Sequence, residues 1–214
     1  FQPIVDLYSG GIVAFEALTR FDDQTPPDAM FRAATACGMA QVLELATVEA
    51  SIVAGEGRPS AATLTPNISP ATLIASDELA GMIHLAGRPV ILEVTEHESI
   101  DDYAALQAAI DRIGRGTRIA VDDAGAGSAN LRHLVQLKPD FVKLDITLVH
   151  GIDDDFTRQA LVVGLKEFAQ VSGRALIAEG IETELERTTL VELAVRFGQG
   201  YLLGAPAPVE AWTH

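Results

Sequence analysis

Carboxylates recur at the ends of short apolar stretches: Glu16 in VAFEALTR, Glu93 and Glu96 in ILEVTE, Asp122 and Asp123 in IAVDD, Asp145 in VKLD and Glu179 in LIAEG. If these stretches are parallel strands of one barrel, their C-terminal ends open on a single mouth and the acids meet there. Like charges gathered in a partly dry pocket are tolerated only around cations or with raised pKa values, because a buried carboxylate is costly. The candidate ligands are Glu16, Asn67, Glu93, Asp122, Asp123 and Glu179. They are oxygen donors throughout, with no His or Cys at equivalent places, and such a set suits Mg²⁺ or Mn²⁺ better than Zn²⁺ or Cu²⁺. In the bend from Asp122 and Asp123 into Gly125 both side chains can turn inward, one to bridge two ions and the other to serve one. Two ions about 3.5–4 Å apart would activate a water and hold a phosphoryl oxygen.

Taken singly, these signals are ordinary. A Glu at a strand end is usually solvated or salt-bridged, Asp-Asp before Gly usually caps a helix, Asn67 can cap the helix after Pro70, and Lys143 can pair with Asp145. Their joint placement at strand ends favours a metal site.

The elements that must position these residues alternate between strand-like and helical patterns, as in βα units around a parallel sheet. Strand candidates are FQPIVDL, GIVAFEALTRF, AATLTPNIS, PVILEVTE, RIAVDDAG, FVKLDITL, RALIAEGIE and FGQGYLLG, enough to close an α/β barrel. Only Tyr-Ser-Gly-Gly separates the first two, which predicts a hairpin and an antiparallel first strand. Helical spacing links Tyr103, Leu106, Ile110 and Ile113, closed by Gly114, and Leu161, Leu165, Phe168 and Ala169, closed by Gly173. The stretch from Asp28 to Gly55 reads as two helices broken near Gly38, with Met39, Val42, Leu43, Leu45 and Ala46 available for packing.

A chain of 214 residues with 48% apolar content supports one core and one domain over residues 1–214, near the lower limit for a (β/α)8 barrel. Phe1 begins directly on a strand-like segment, so the chain reads as a domain cut from something longer. Fifteen basic against 30 acidic residues give a formal charge of −15, which disfavours long nucleic acid and anionic membranes as partners. No apolar run reaches membrane-spanning length, so direct insertion of this domain is not expected. Cys37 is the only cysteine and reads as a small core residue; disulfides within the chain are excluded and a reducing, cytoplasmic compartment is expected, with any membrane anchor elsewhere.

Several motifs occur together: QPI at 2–4, EALTR at 16–20, Asn67-Ile-Ser69, LEVTE at 92–96, DDAGAG at 122–127, VKLD at 142–145, AEGIET at 178–183 and GQGYLLGAP at 198–206. This set resembles the EAL-domain cyclic di-GMP phosphodiesterases of bacteria, in the same order and over essentially the whole chain. The resemblance implies a modified TIM (β/α)8 barrel with an antiparallel first strand. It implies that Glu16, Asn67, Glu93, Asp122, Asp123 and Glu179 bind metal, with two Mg²⁺ or Mn²⁺ ions. Glu179, Lys143 and Glu16 would be catalytic, with Glu179 helping to activate water and Lys143 beside that water or the phosphate. Arg20 would hold a phosphate, Gln2, Asp145 and Gln199 would lie on the substrate side, and Glu96 would anchor the loop after Asp123. The implied reaction is hydrolysis of cyclic di-GMP to linear pGpG. Family members commonly pair as homodimers through that loop and the following helix, here Asn130 to Leu137, and sit beside sensory or GGDEF domains.

The loop departs from the common family pattern DDFGTGYSS. Here it reads DDAGAGSAN, with Ala124, Ala126, Ser128, Ala129 and Asn130 at the changed positions. Pro66 before Asn67 is a second departure, since it removes a backbone donor and restricts Thr65. The rival reading is therefore a cyclic di-GMP receptor that keeps the pocket without turnover. Chemistry alone also fits an enolase-like barrel with Lys143 as base; Arg20, Asn67 and the motif order count against it. A dinucleotide-binding reading of Gly125-Ala-Gly127 fails because the third glycine of GxGxxG is absent.

Overall fold

The computed structural model describes residues 1–55, 63–95, 100, 102–114, 116–124 and 134–212. Eight strands follow one another around a closed barrel. They are β1 (Gln2–Asp6), β2 (Ile12–Ala17), β3 (Thr63–Ile68), β4 (Val90–Val94), β5 (Thr117–Ala124), β6 (Phe141–Leu144), β7 (Ala175–Ala178) and β8 (Phe197–Gly198). β1 runs antiparallel to both of its neighbours, β2 and β8, and every other pairing is parallel. The hairpin expected from Tyr-Ser-Gly-Gly is present. The Asp6 side chain accepts the backbone N–H groups of Tyr8 and Ser9 at 3.0 and 3.1 Å, and Gly10 takes the left-handed conformation that closes such a turn.

Among the described residues, the outer layer includes α1 (Pro27–Ala36), α2 (Ala40–Gly55), α3 (Pro70–Ala75), α4 (Glu78–Leu85), α5 (Tyr103–Ile113) and the helices Ile146–Val149, Phe156–Val171 and Glu184–Glu192. Among the described residues, no helix is long and apolar enough to cross a membrane. The hairpin leaves β1 and β2 without a helix between them. Trp212, from the short turn Val209–Trp212, packs on Phe15 of β2 at 5.8 Å between ring centroids and donates its indole N–H to the Phe1 carbonyl at 3.0 Å.

Several finer expectations are corrected. β6 stops at Leu144, so the ITL of FVKLDITL is helical: Asp145 caps the helix Ile146–Val149 by accepting the Thr147 N–H at 2.9 Å. The helix Phe156–Val171 turns Val162, Leu165 and Ala169 inward and leaves Leu161 exposed. The two-helix reading of 28–55 holds, but α2 buries Leu45, Val48, Ser51, Ile52 and Gly55, while Met39, Val42 and Ala46 face outward. Cys37 is an exposed residue at the C-cap of α1, where the chain has left the packed face. α5 buries Leu106 and Ile113 of its expected stripe together with Ala109, while Tyr103 and Ile110 are partly buried against the core and Gly114 stands at the C-cap.

Candidate metal and phosphate site at the barrel mouth

Strand register brings the acids together. Glu16 on β2 lies opposite Gln2 and Thr65, Asn67 on β3 lies opposite Glu93 on β4, and Asp122, Lys143, Glu179 and Gln199 come from the ends of β5, β6, β7 and β8. All five residues of β4 are buried, so the Glu93 carboxylate is carried into the interior by a strand that hydrophobic packing holds on both faces. Asn67 does not cap α3. Ser69 does, by accepting the Thr72 N–H at 3.2 Å. The β3–β4 ladder lacks pairs at Thr65 and Pro66, where proline has no N–H to give, and resumes at Asn67↔Glu93 and Ile68↔Val94.

At the centre of the cluster stands Lys143, fully buried. Its Nζ lies 2.6 Å from Glu93 Oε2, 2.7 Å from Glu179 Oε1, 3.4 Å from Asp122 Oδ1 and 3.7 Å from Glu16 Oε1. Burial disfavours its charge, yet the surrounding Glu93, Glu16, Glu179 and Asp122 outweigh that and hold its pKa well above 10.5. Burial pushes Glu93 well above the usual carboxylate range, opposed by Lys143 and reinforced by Glu16 and Asp122. Glu179 is pushed up to about 7, chiefly by burial, against the pull of Lys143. At Glu16 burial also favours the neutral form, but Lys143 and the Gln199 and Asn67 side chains together bring its pKa below 4.5.

Two glutamines hold Glu16 in place. Gln199 Nε2 donates to both Glu16 Oε2 and Gln2 Oε1, the latter at 3.2 Å, and Gln2 Nε2 donates to the Gly204 carbonyl at 3.2 Å. Asn67 Nδ2 donates to Glu16 Oε1 at 3.3 Å, which leaves its Oδ1 as the group it can present to a cation. Glu179 is followed by Gly180 at φ +69°, where a Cβ would overlap the Ile146 side chain; only glycine satisfies both the backbone and the packing.

Four carboxylates face one ammonium, and the imbalance calls for protons or further cations. Among the described residues, the buried Glu93 Oε1 has no hydrogen-bond partner, a cost that a hard cation would relieve. Together with an all-oxygen donor set, this fits divalent Mg²⁺ or Mn²⁺. Among the described residues, no three His, Cys, Asp or Glu side chains are already disposed around an ion, since the carboxylates converge on Lys143. Asp123 continues β5, but its side chain, like Glu96, residues 125–130 and the first part of the 130–137 segment, lies outside the described residues.

The proposed substrate-side residues are spread around this cluster. Arg20 is exposed beyond β2, its Nη1 donating to the Thr19 carbonyl at 2.8 Å. It shares with Asn67, Phe31, Arg32 and Glu44 the lining of a cavity of about 710 Å³ between the ends of β2 and β3 and helices α1 and α2. Asp145 sits one residue past β6 and is engaged as a helix cap. Sequence reasoning did not identify Lys143 as the shared counterion or the two glutamines as supports for Glu16. A lysine two positions before a strand-end acid was the available signal for the first.

Comparison with known proteins agrees with this geometry. The family model "EAL domain" matches residues 1–206. The chain is 32% identical over 151 residues to the "Probable cyclic di-GMP phosphodiesterase PdeA" of Escherichia coli K12, covering 67% of this chain and 21% of that protein. It is 28% identical over 232 residues to the cyclic di-GMP phosphodiesterase RocR of Pseudomonas aeruginosa PAO1, covering 97% of this chain and 57% of that one. Among solved structures, Klebsiella pneumoniae BlrP1 in a manganese and cyclic di-GMP complex at pH 6 superimposes with a TM-score of 0.83 at 30% identity, over 94% of this chain and 53% of the other. The chain therefore spans well under two thirds of each of these proteins.

Proposed function

This chain belongs to the EAL domain family, and on that footing we propose that it hydrolyses cyclic di-GMP to linear pGpG with the help of divalent metal. The observation that carries the reading is the convergence of Glu16, Glu93, Asp122 and Glu179 on one buried point, with Glu93 Oε1 unpartnered among the described residues. Glu16, Asn67, Glu93, Asp122, Asp123 and Glu179 would hold two Mg²⁺ or Mn²⁺ ions. When bound, such ions lower the pKa of a water and offset charge on phosphoryl oxygens.

The remaining steps belong to the chain. Glu179, carried to the mouth just past the end of β7, would accept the proton of a water attacking phosphorus, and the P–O bond to the ribose 3′ oxygen breaks as the new P–O bond forms. The 3′ oxygen leaves as a hydroxyl after taking up a proton, and the product carries a 5′ phosphate. Lys143 supplies a fixed positive charge beside the reacting phosphoryl group. Arg20, exposed at the cavity rim, holds a phosphate; Gln2 and Gln199 aim Glu16 and border the substrate, with Asp145 nearby. Glu96 would anchor the loop after Asp123. The same reading places the domain in the cytoplasm, paired with a second copy and accompanied by a sensory or GGDEF domain in a longer protein.

The test is incubation of the purified chain with cyclic di-GMP and either Mg²⁺ or Mn²⁺, followed by chromatography. Release of linear dinucleotide is expected, and Glu16→Gln or Asp122→Asn should abolish it while leaving the fold intact. Tight binding without product would establish the receptor reading instead, and wild-type rates in either variant would reject the assigned roles.

A further inference from the structure

Asn67 stands at the end of β3, just past the gap that Pro66 makes in the β3–β4 ladder. Two residues on, Ser69 has left the strand, and its backbone N–H has no ladder partner. Glu44 of α2 takes that role. A single carboxylate oxygen, Glu44 Oε2, accepts both the Ser69 N–H and the Ser69 hydroxyl, each at 2.9 Å. The Ser69 Oγ accepts a first-turn N–H of α3, that of Thr72, at 3.2 Å. One oxygen on α2 therefore ties down the turn joining β3 to α3, and the nearest side chain upstream that reaches the carboxylate cluster is Asn67. Glu44 is a charged residue beside the buried positions Leu45 and Val48, and it lines the cavity that Asn67 and Arg20 also border. It is in neither the proposed metal set nor the proposed substrate set.

We propose that Glu44 is a positioning residue which, through Ser69, fixes the aim of Asn67 into the metal site. The inference rests on the metal-binding reading given above. Because both contacts end on the same oxygen, a carboxamide at this position can reproduce them, whereas an alanine cannot.

The test is Mn²⁺ calorimetry on the full chain without nucleotide, alongside thermal midpoints, for wild type, Glu44→Ala, Glu44→Gln, Ser69→Ala, Asn67→Ala and the double variant Glu44→Ala/Asn67→Ala. Glu44→Ala should weaken Mn²⁺ binding about tenfold, the usual order for a group that orients a ligand. Glu44→Gln should restore it, and the double variant should bind no more weakly than Asn67→Ala alone. Wild-type affinity in Glu44→Ala with a lowered midpoint would reduce Glu44 to a structural role and overturn the proposal, as would additive losses in the double variant. If Glu44→Ala does not fold, Ser69→Ala decides: it should fall between wild type and Asn67→Ala, and wild-type affinity there overturns the proposal. Unchanged Mn²⁺ affinity in Asn67→Ala would instead mark failure of the metal-site reading itself.

Discussion

Replacing Lys143 by methionine keeps most of the apolar stem of the side chain and removes the ammonium with its charge and its N–H donors. In the wild type that ammonium is fully buried and lies within 3.7 Å of four carboxylates, at 2.6 and 2.7 Å from two of them. Removing one member of a buried ionic group leaves uncompensated charge and costs about 3–5 kcal/mol. For a domain of this size that lowers the thermal midpoint on the order of 10 °C. The direction with pH follows from the groups involved. Lys143 has its pKa raised above 10.5, so its contribution is fully present below that value and constant between pH 5 and 9. The carboxylates set the slope: Glu93 and Glu179 already favour protonation through burial, and without Lys143 they will take up protons more readily. The gap between variant and wild type should therefore be widest at pH 8 and shrink toward pH 5. Mn²⁺ at a hundred times its dissociation constant should return about 2.7 kcal/mol to the variant. Metal-free thermal melts at several pH values, repeated with Mn²⁺, provide the assay. A midpoint within about 2 °C of wild type at pH 8 would refute the claim that this ammonium balances the cluster.

Metal binding must displace the proton of Glu179, whose pKa is near 7, so this group alone should make Mn²⁺ affinity rise up to about tenfold per pH unit below pH 7 and level off above it, and any proton held by the buried Glu93 steepens the rise; calorimetry in buffers of different ionisation enthalpy counts the protons released. Without metal, the unfolded chain ionises Glu179 near 4.5 and the folded chain only near 7, so this group should make stability fall as pH rises across that window, as read by urea midpoints. Gly180→Ala places a side chain at φ +69° against Ile146 and should cost about 2–4 kcal/mol through left-handed strain and overpacking, with a matching loss of turnover as Glu179 shifts. Adding Ile146→Ala should recover the packing part.

The order of strands was legible because each one pairs an apolar run with a strand-end acid or glycine turn, and the antiparallel start because four residues cannot carry a crossover. The gathering of Glu16, Asn67, Glu93, Asp122 and Glu179 followed from that topology alone. What periodicity could not resolve was which of two adjacent apolar residues faces the barrel, as at Leu161 and Val162, or where a strand ends when its last acid turns into a helix cap, as at Asp145. The central place of Lys143 and the support of Glu16 by Gln2 and Gln199 depend on strands distant in sequence meeting around a closed ring. Glu44 carried one faint signal, a charge on the inward side of α2.

The site is tested most directly by crystals of the chain grown with Mn²⁺ and measured for anomalous scattering. Two peaks among Glu16, Asn67, Glu93, Asp122, Asp123 and Glu179, with Lys143 displaced from its closest carboxylates, are the expected result. A mouth without anomalous density, and Lys143 still seated against Glu93 and Glu179 at saturating Mn²⁺, would contradict it.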